Sequence, residues 1–315
     1  MTAEPGPRER ALAERRANAR AAGDFASADA IRDELAAAGW SIVDAPGGTW
    51  RLDPVVVPAR AGPERVRPDD VPSRLAEPPT DDVSVHWVVE GWTDDVVRAI
   101  ASFRANRGGR RVRYVVADVT GTDPDVFEAG SHDDVDVISL VAGTGWAAAC
   151  NAGLRRGTGR IALVMDGSIE AAGDIVGPLE EALEDPRVGI AGPFGLVTHD
   201  LRQFEDAPGP GPCDAIEGYC MAMRRETLDR TGGFDRRFRW YRTADIELSF
   251  RVKDLGLRTD AVPVPVIRHE HRMWFETDAA ERAKWSKRNF YRFLDRWRDR
   301  WDLVLDPRSP TEAGP

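Results

Sequence analysis

From Asp82 onward, short runs of β-branched residues alternate with segments of helical period, and that alternation leaves few architectures open. Val83 to Val89 predicts a strand, Thr93 to Asn106 a helix, Val112 to Val119 and Val135 to Val141 two strands, Gly145 to Arg155 a helix and Ile161 to Met165 a further strand. Parallel neighbours need a crossover, so strand–helix–strand order implies a mainly parallel sheet with helices on both faces. The expected class is therefore α/β. In such sheets ligands gather beyond the carboxyl ends of the strands, which singles out Glu90, Asp118 and Asp166 as polar residues at or just after those ends.

The residues before this region follow different rules. Leu12, Ala19 and Ala22 keep a helical period, Gly23 can end that helix in the left-handed conformation, and Asp24 can cap the next. Phe25, Ala28, Ile31 and Leu35 then share one face up to Gly39, and two short strands, Trp40 to Val43 and Thr49 to Leu52, flank Pro46-Gly47-Gly48. Residues 1–52 thus read as a small helical hairpin with a β-ribbon, and residues 53–80, with prolines at 54, 58, 63, 68, 72, 78 and 79, as a linker. A main domain over 81–303 and a disordered tail over 304–315 complete the expected organisation. Within the main domain, Asp278 to Leu303 is helical in pattern. Its rings, Trp285, Phe290, Phe293, Trp297 and Trp301, are expected to pack on the domain rather than on a membrane or nucleic acid.

Composition narrows the function classes. A net charge of −10 argues against bulk affinity for nucleic acid, and residues 1–52 hold seven arginines against eight acids. The most apolar stretch, Ile138 to Leu154, is broken by Gly143, Thr144, Gly145 and Asn151 and makes a poor membrane span. The first residues lack the apolar core of a secretory signal, and the three cysteines form neither a disulfide framework nor a zinc motif. The expected location is the cytoplasm, with peripheral membrane contact left open.

Two separated stretches carry a resemblance. The first is Gly145-Trp-Ala-Ala-Ala-Cys-Asn151-Ala-Gly153-Leu followed by Gly159-Arg-Ile-Ala-Leu-Val-Met-Asp166-Gly-Ser168. The second is Gly218-Tyr-Cys-Met-Ala-Met-Arg224-Arg, Gly232-Gly-Phe-Asp235 and Ala244-Asp245-Ile-Glu247-Leu-Ser-Phe-Arg251. Together they resemble the family 2 glycosyltransferases of the GT-A fold over about residues 82–300, the nucleotide-diphospho-sugar transferase architecture. Residues 19–51, including Asp24, Phe25, Asp29 and Gly48-Thr49-Trp50-Arg51, resemble the C-terminal tail of cysteinyl-tRNA synthetases; no nucleotide-binding signature of a synthetase follows, which excludes aminoacylation.

The first resemblance implies an inverting transfer from a nucleoside-diphosphate sugar to a hydroxyl on a glycan, a lipid-linked or a small-molecule acceptor. It assigns the general base to Asp245, for which an N-cap role is the alternative. Donor contacts fall to Glu90, Asp118, Asn151 and Asp166, and acceptor contacts to Gly218, Trp240 and Tyr241. A divalent cation, Mg²⁺ or Mn²⁺, would be held by Asp166 with His269 and His271, while Arg268 or Arg272 can instead neutralise phosphate charge. Glu247 and Arg251, four apart, suit a structural ion pair.

Several positions depart from the family pattern. Ser168 stands where a second Asp usually holds the cation, which weakens the metal site; Ala244 replaces a Glu, Gly143 an Asn, and Val88-Val89-Glu90-Gly91 a Pro-x-Tyr-Asn element. Two other readings therefore stay open: a catalytically degenerate relative acting as a binding or scaffold protein, and an RNA-associated adaptor built on the hairpin. The Pro/Gly-rich segment from Arg202 to Asp214 reads either as a loop shaping the acceptor pocket or as an unstructured insertion.

Overall fold

A computed structural model of the chain describes residues 5–38, 40–45, 49–54, 63–127 and 133–307. Gly39, Pro46-Gly47-Gly48, residues 55–62 of the expected linker and residues 308–315 lie outside the described residues. The chain divides into two compact units, Met1–Gly62 and Pro63–Pro315.

In the smaller unit α1 (Pro7–Ala21) and α2 (Phe25–Ala37) precede an antiparallel ribbon of β1 (Trp40–Ala45) and β2 (Thr49–Pro54). Gly23 takes φ +75°, and the Asp24 carboxylate accepts from the Ser27 amide at 3.1 Å, so the interhelical turn forms as its residues dictate. The core is Leu12, Ala13, Ile31, Leu35 and Trp40. Phe25, expected on that face, is exposed instead. The buried stripe of α1 continues to Arg16, whose guanidinium grips both oxygens of Asp44 at 2.7 and 3.2 Å.

The larger unit begins earlier than the alternating pattern suggested. From Pro63 the proline-rich segment is a strap on this unit rather than a linker: Val66 bridges Leu140, the Arg74 amide donates to the Arg155 carbonyl at 2.7 Å, and Val71 is buried. The Arg225 side chain donates to the carbonyls of Arg74, Leu75 and Glu77. Prolines prevent the strap from forming its own ladder, and neighbouring groups satisfy its carbonyls one at a time.

Along the chain follow β3 (Asp81–Val89), α3 (Thr93–Asn106), β4 (Val112–Asp118), β5 (Val135–Ser139), α4 (Trp146–Arg156), β6 (Gly159–Met165), β7 (Ile169–Ala171), α5 (Val176–Glu184) and β8 (Val188–Gly192). Then come β9 (Gly195–Val197), β10 (Glu205–Asp206), β11 (Gly211–Cys213), β12 (Ala215–Ile216), β13 (Cys220–Arg224), α6 (Arg225–Thr231) and α7 (Ala244–Asp254). The series closes with β14 (Arg258–Ala261), β15 (Val266–Arg268), α8 (Arg272–Glu276) and α9 (Ala279–Trp297). The main sheet runs β11-β14-β8-β13-β6-β3-β4-β5, and within it β13 and β11 run against the rest. It is the mixed, mainly parallel α/β sheet expected. One face packs Trp87, Tyr114, Ile100 and Phe103; the other packs Ala147, Leu154, Met221 and Leu248.

The reversed strand positions the site. Because β13 is antiparallel to β6, with Cys220 opposite Met165, its first residues stand beside the carboxyl end of β6. A second antiparallel pair, β15 on β7 with Arg268 opposite Ile169, returns residues 269–271 over the turn that follows Asp166. On α9, Phe293 and Trp297 are buried against Phe250, as the aromatic pattern implied. The tail is ordered past its expected start, since Val304 is buried and the Leu305 amide donates to Asp214 at 2.9 Å. The Arg202 to Asp214 segment is ordered too: β10 pairs with β9 and β11 with β14. No helix among the described residues is long and apolar enough to cross a membrane.

Candidate active site

Two carboxylates far apart in sequence meet at the start of β13. The Asp166 amide donates to the Tyr219 carbonyl at 3.0 Å, and the Gly218 amide donates to Asp245 Oδ2 at 2.8 Å, so adjacent residues tie both acids to one strand end. Both line a cavity of about 220 Å³ together with Trp146, Glu217, Tyr241 and Arg242.

Asp245 is the second residue of α7, and its Oδ1 accepts from the Ile246 amide at 2.9 Å. The N-cap position belongs instead to Thr243, at φ +70°, a conformation that costs a β-branched residue of order 1 kcal/mol or more. Burial pushes the Asp245 carboxyl above its ordinary range against the pull of the Gly218 and Ile246 amides. Its oxygens are thus oriented by the backbone and primed to accept a proton.

Asp166 is held differently. Burial works to raise its carboxyl, but the hydrogen bonds from His271 and then from Ser168 outweigh it and hold the group below its ordinary value. Oδ1 accepts from the Ser168 amide at 2.8 Å and its hydroxyl at 2.5 Å, while Oδ2 faces His271 Nε2 at 3.1 Å. His271 Nδ1 accepts from the Trp274 amide at 3.2 Å, which puts the proton on Nε2 and aims it at Asp166.

A divalent cation of the magnesium or manganese type needs several oxygen or nitrogen lone pairs converging on one point. Here Asp166 Oδ1 is taken by Ser168, His271 presents a proton, and Ser168 has no second carboxylate to offer. No group of three His, Cys, Asp or Glu side chains suited to a metal occurs among the described residues. The residues as they stand do not fit the cation that the resemblance implies.

The other expected contacts fall into distinct places. Glu90 lies next to Asp166 in a small recess shared with Ser168 and His271, and its Oε2 has no hydrogen-bond partner among the described residues. Burial, then the charge of Asp166, pushes its carboxyl up to about 7, with His271 opposing. Asp118 ends β4 as expected but is fully buried, and its oxygens accept from the Thr120 amide and hydroxyl and the Gly121 amide at 2.6 to 2.9 Å; this carboxylate closes its own turn and leaves no face for a ribose. Asn151 is a clamp rather than a donor contact: its amide exchanges hydrogen bonds of 2.7 and 2.8 Å with the Phe234 backbone. Gly233, at φ +79°, makes room for that clamp, since a Cβ there would lie 2.3 Å from Asn151 Oδ1. His269 pairs with Glu170 at 2.8 Å and not with Asp166. Trp240 is buried and stacked on Trp274, with ring centroids 5.8 Å apart, so it packs rather than lines the cavity. Gly218 and Tyr241 do line it, and the Tyr241 ring lies 4.7 Å from that of His271.

Glu217, Asp206 and Arg242 were not singled out by sequence. Glu217 and Asp206 border both the first cavity and a second of about 310 Å³ lined also by Phe194, Pro210 and Arg268. Glu217 is pushed up to about 7 by burial and then by the charge of Asp245. Both Glu90 and Glu217 therefore hold protons in the folded chain between their ordinary value of 4.5 and about 7 that the unfolded chain releases, so their contribution to stability is lost as pH rises through that window. The melting temperature is expected to fall by roughly 5 °C from about pH 5 to about pH 8, with a shallower slope in Glu217→Gln. A profile that rises over that range, or a slope unchanged in the variant, would contradict the assignment.

Residues 91–247 match the family model described as Glycosyl transferase family 2. A mannosyltransferase from Pyrobaculum calidifontis, solved in complex with GDP-Man and Mn²⁺, superposes with a TM-score of 0.54 at 19% identity over 74% of this chain and 71% of its own. GalNAc-T7, solved with UDP, GalNAc and Mn²⁺, superposes with a TM-score of 0.55 at 16% identity over 70% of this chain and 49% of its own. At these identities the likeness is one of fold. The N-terminal region is similar to a cysteine–tRNA ligase of Cereibacter sphaeroides, 52% identical over 62 residues, and this chain spans 12% of that protein's length.

Proposed function

We propose, from the premise that residues 91–247 form a family 2 glycosyltransferase domain, that the chain moves a sugar from a nucleoside diphosphate to an acceptor hydroxyl with inversion at the anomeric carbon. The observation that carries this is the meeting of Asp166 and Asp245 in one cavity, tied together through Gly218 and Tyr219. In the proposed step the acceptor oxygen bonds to the anomeric carbon as that carbon's bond to the diphosphate oxygen breaks. The hydroxyl proton passes to Asp245, held by two backbone amides, and the electron pair leaves with the diphosphate. Asp166, kept ionised by His271 and Ser168, accepts from donor hydroxyls.

Incubating the full chain with a panel of UDP- and GDP-sugars tests the reading. At least one is expected to raise the melting temperature by several degrees and to release free nucleoside diphosphate, and the product's anomeric proton coupling is expected to report the configuration opposite to the donor's. Absence of both stabilisation and turnover across the panel would remove the transferase reading, and a retained configuration would remove inversion.

A further inference from the structure

A departing diphosphate carries at least two negative charges into a cavity already bordered by Asp166, Asp206, Glu217 and Asp245. Without a positive group facing it, that separation of charge is strongly opposed in a partly dry site. The Asp166 turn does not fit a divalent cation, because Oδ1 already accepts twice from Ser168 and His271 presents a proton to Oδ2. The countercharge has to come from elsewhere.

Of the guanidinium groups nearby, Arg98 is paired with Asp95 and Glu170 at 2.7 and 2.5 Å. Arg272 is occupied by Asp94 and Asp95 at 2.5 and 2.7 Å. Arg268 lies 4.0 Å over the Tyr219 ring with Glu217 at 4.0 Å, and it lines the second cavity rather than the first. Arg242 lines the cavity that holds Asp166 and Asp245, and its guanidinium makes no ion pair or hydrogen bond among the described residues. Its position is nonetheless fixed. Its Cζ sits 4.6 Å from the centroid of Trp274, which stacks on Trp240, and the buried Asn289 amide holds the carbonyls of both Trp240 and Arg242 at 2.9 and 2.8 Å. Contact through a ring face leaves the guanidinium N–H donors free for a planar, bidentate anion.

We infer that Arg242 binds the diphosphate of the donor and takes up its charge as it leaves, the task that a bridging divalent cation would otherwise perform. The inference rests on the proposed transferase reading and makes Arg242 a catalytic residue. It also distinguishes nucleoside from nucleoside diphosphate, since the guanidinium touches only the phosphates.

Calorimetric titration of the full chain separates the cases, with UDP, GDP, uridine and guanosine as probes, in EDTA and then in Mn²⁺. Wild type in EDTA is expected to bind one of the diphosphates, and Mn²⁺ to change that affinity by less than about 3-fold. Arg242→Gln is expected to lose about 30-fold in diphosphate affinity while the matching nucleoside binds as before, the size expected for charge-assisted hydrogen bonds to one guanidinium. Arg242→Lys should recover part of the loss, having charge without the fork. Arg282→Gln, which also removes a cation from the Trp274 face at 4.7 Å, should bind as wild type. Unchanged diphosphate binding in Arg242→Gln, or binding that vanishes in EDTA and returns with Mn²⁺ in both proteins, overturns the inference and leaves the transferase reading standing. If wild type binds no probe and no sugar nucleotide under either condition, both fall together.

Discussion

Asp245→Asn yields a protein that still binds its sugar nucleotide but turns it over about 10²–10⁴-fold more slowly, the usual range for removing a general base. The amide keeps the size of the carboxylate and can still accept from one of the two backbone N–H groups that hold it, those of Gly218 and Ile246. Losing the other contact costs about 1 kcal/mol, which leaves the fold intact. The fall is therefore expected in kcat, with the donor Kd unchanged within a few-fold. The wild-type rate should also drop at acid pH as the Asp245 carboxyl, raised by burial, takes up its proton; the variant should lack that limb. Residual kcat above a tenth of wild type would exclude Asp245 as the base.

Glu247→Ala should be the most destabilising single change in the same helix, and for an unrelated reason. The Glu247 carboxylate is 1% exposed and accepts from Arg251 Nε at 2.9 Å and Arg296 Nη1 at 3.1 Å. Arg251 reaches on to the carbonyls of Thr231 and Gly233, and Arg296 belongs to α9, so one acid joins α7, the glycine turn and the C-terminal helix. Its removal takes the buried anion from Arg251 while the half-exposed Arg296 turns to water, a defect worth about 3 kcal/mol and roughly 8 °C in melting temperature for a unit of this size. Below the transition kcat should stay within about 3-fold of wild type, which separates a structural role from a catalytic one. A melting point within about 2 °C of wild type would show that the network contributes little.

The sheet was legible because local chemistry and global packing agree there: β-branched runs such as Val83 to Val89 sit where both faces of the sheet are covered. Motif order singled out Asp166 and Asp245, and both line one cavity. What could not be read depends on partners distant in sequence. Asn151 finds the Phe234 backbone, Arg242 finds Trp274, and the proline-rich strap finds Arg225, and no local pattern announces any of these. His269 and His271 differ only by which way β15 turns them, one toward Glu170 and the other toward Asp166. The side chain of Asp118 is claimed by its own turn, a competition that any strand-end aspartate faces and that composition cannot decide.

The tether of both acids to neighbouring residues of β13 has a mechanical consequence. Gly218 and Tyr219 are consecutive residues, so the Asp245 carboxylate and the Asp166 backbone are both referenced to one short stretch of chain. A displacement of that strand end therefore carries the Asp166 turn and the Asp245 side chain with it, and the two stay in register.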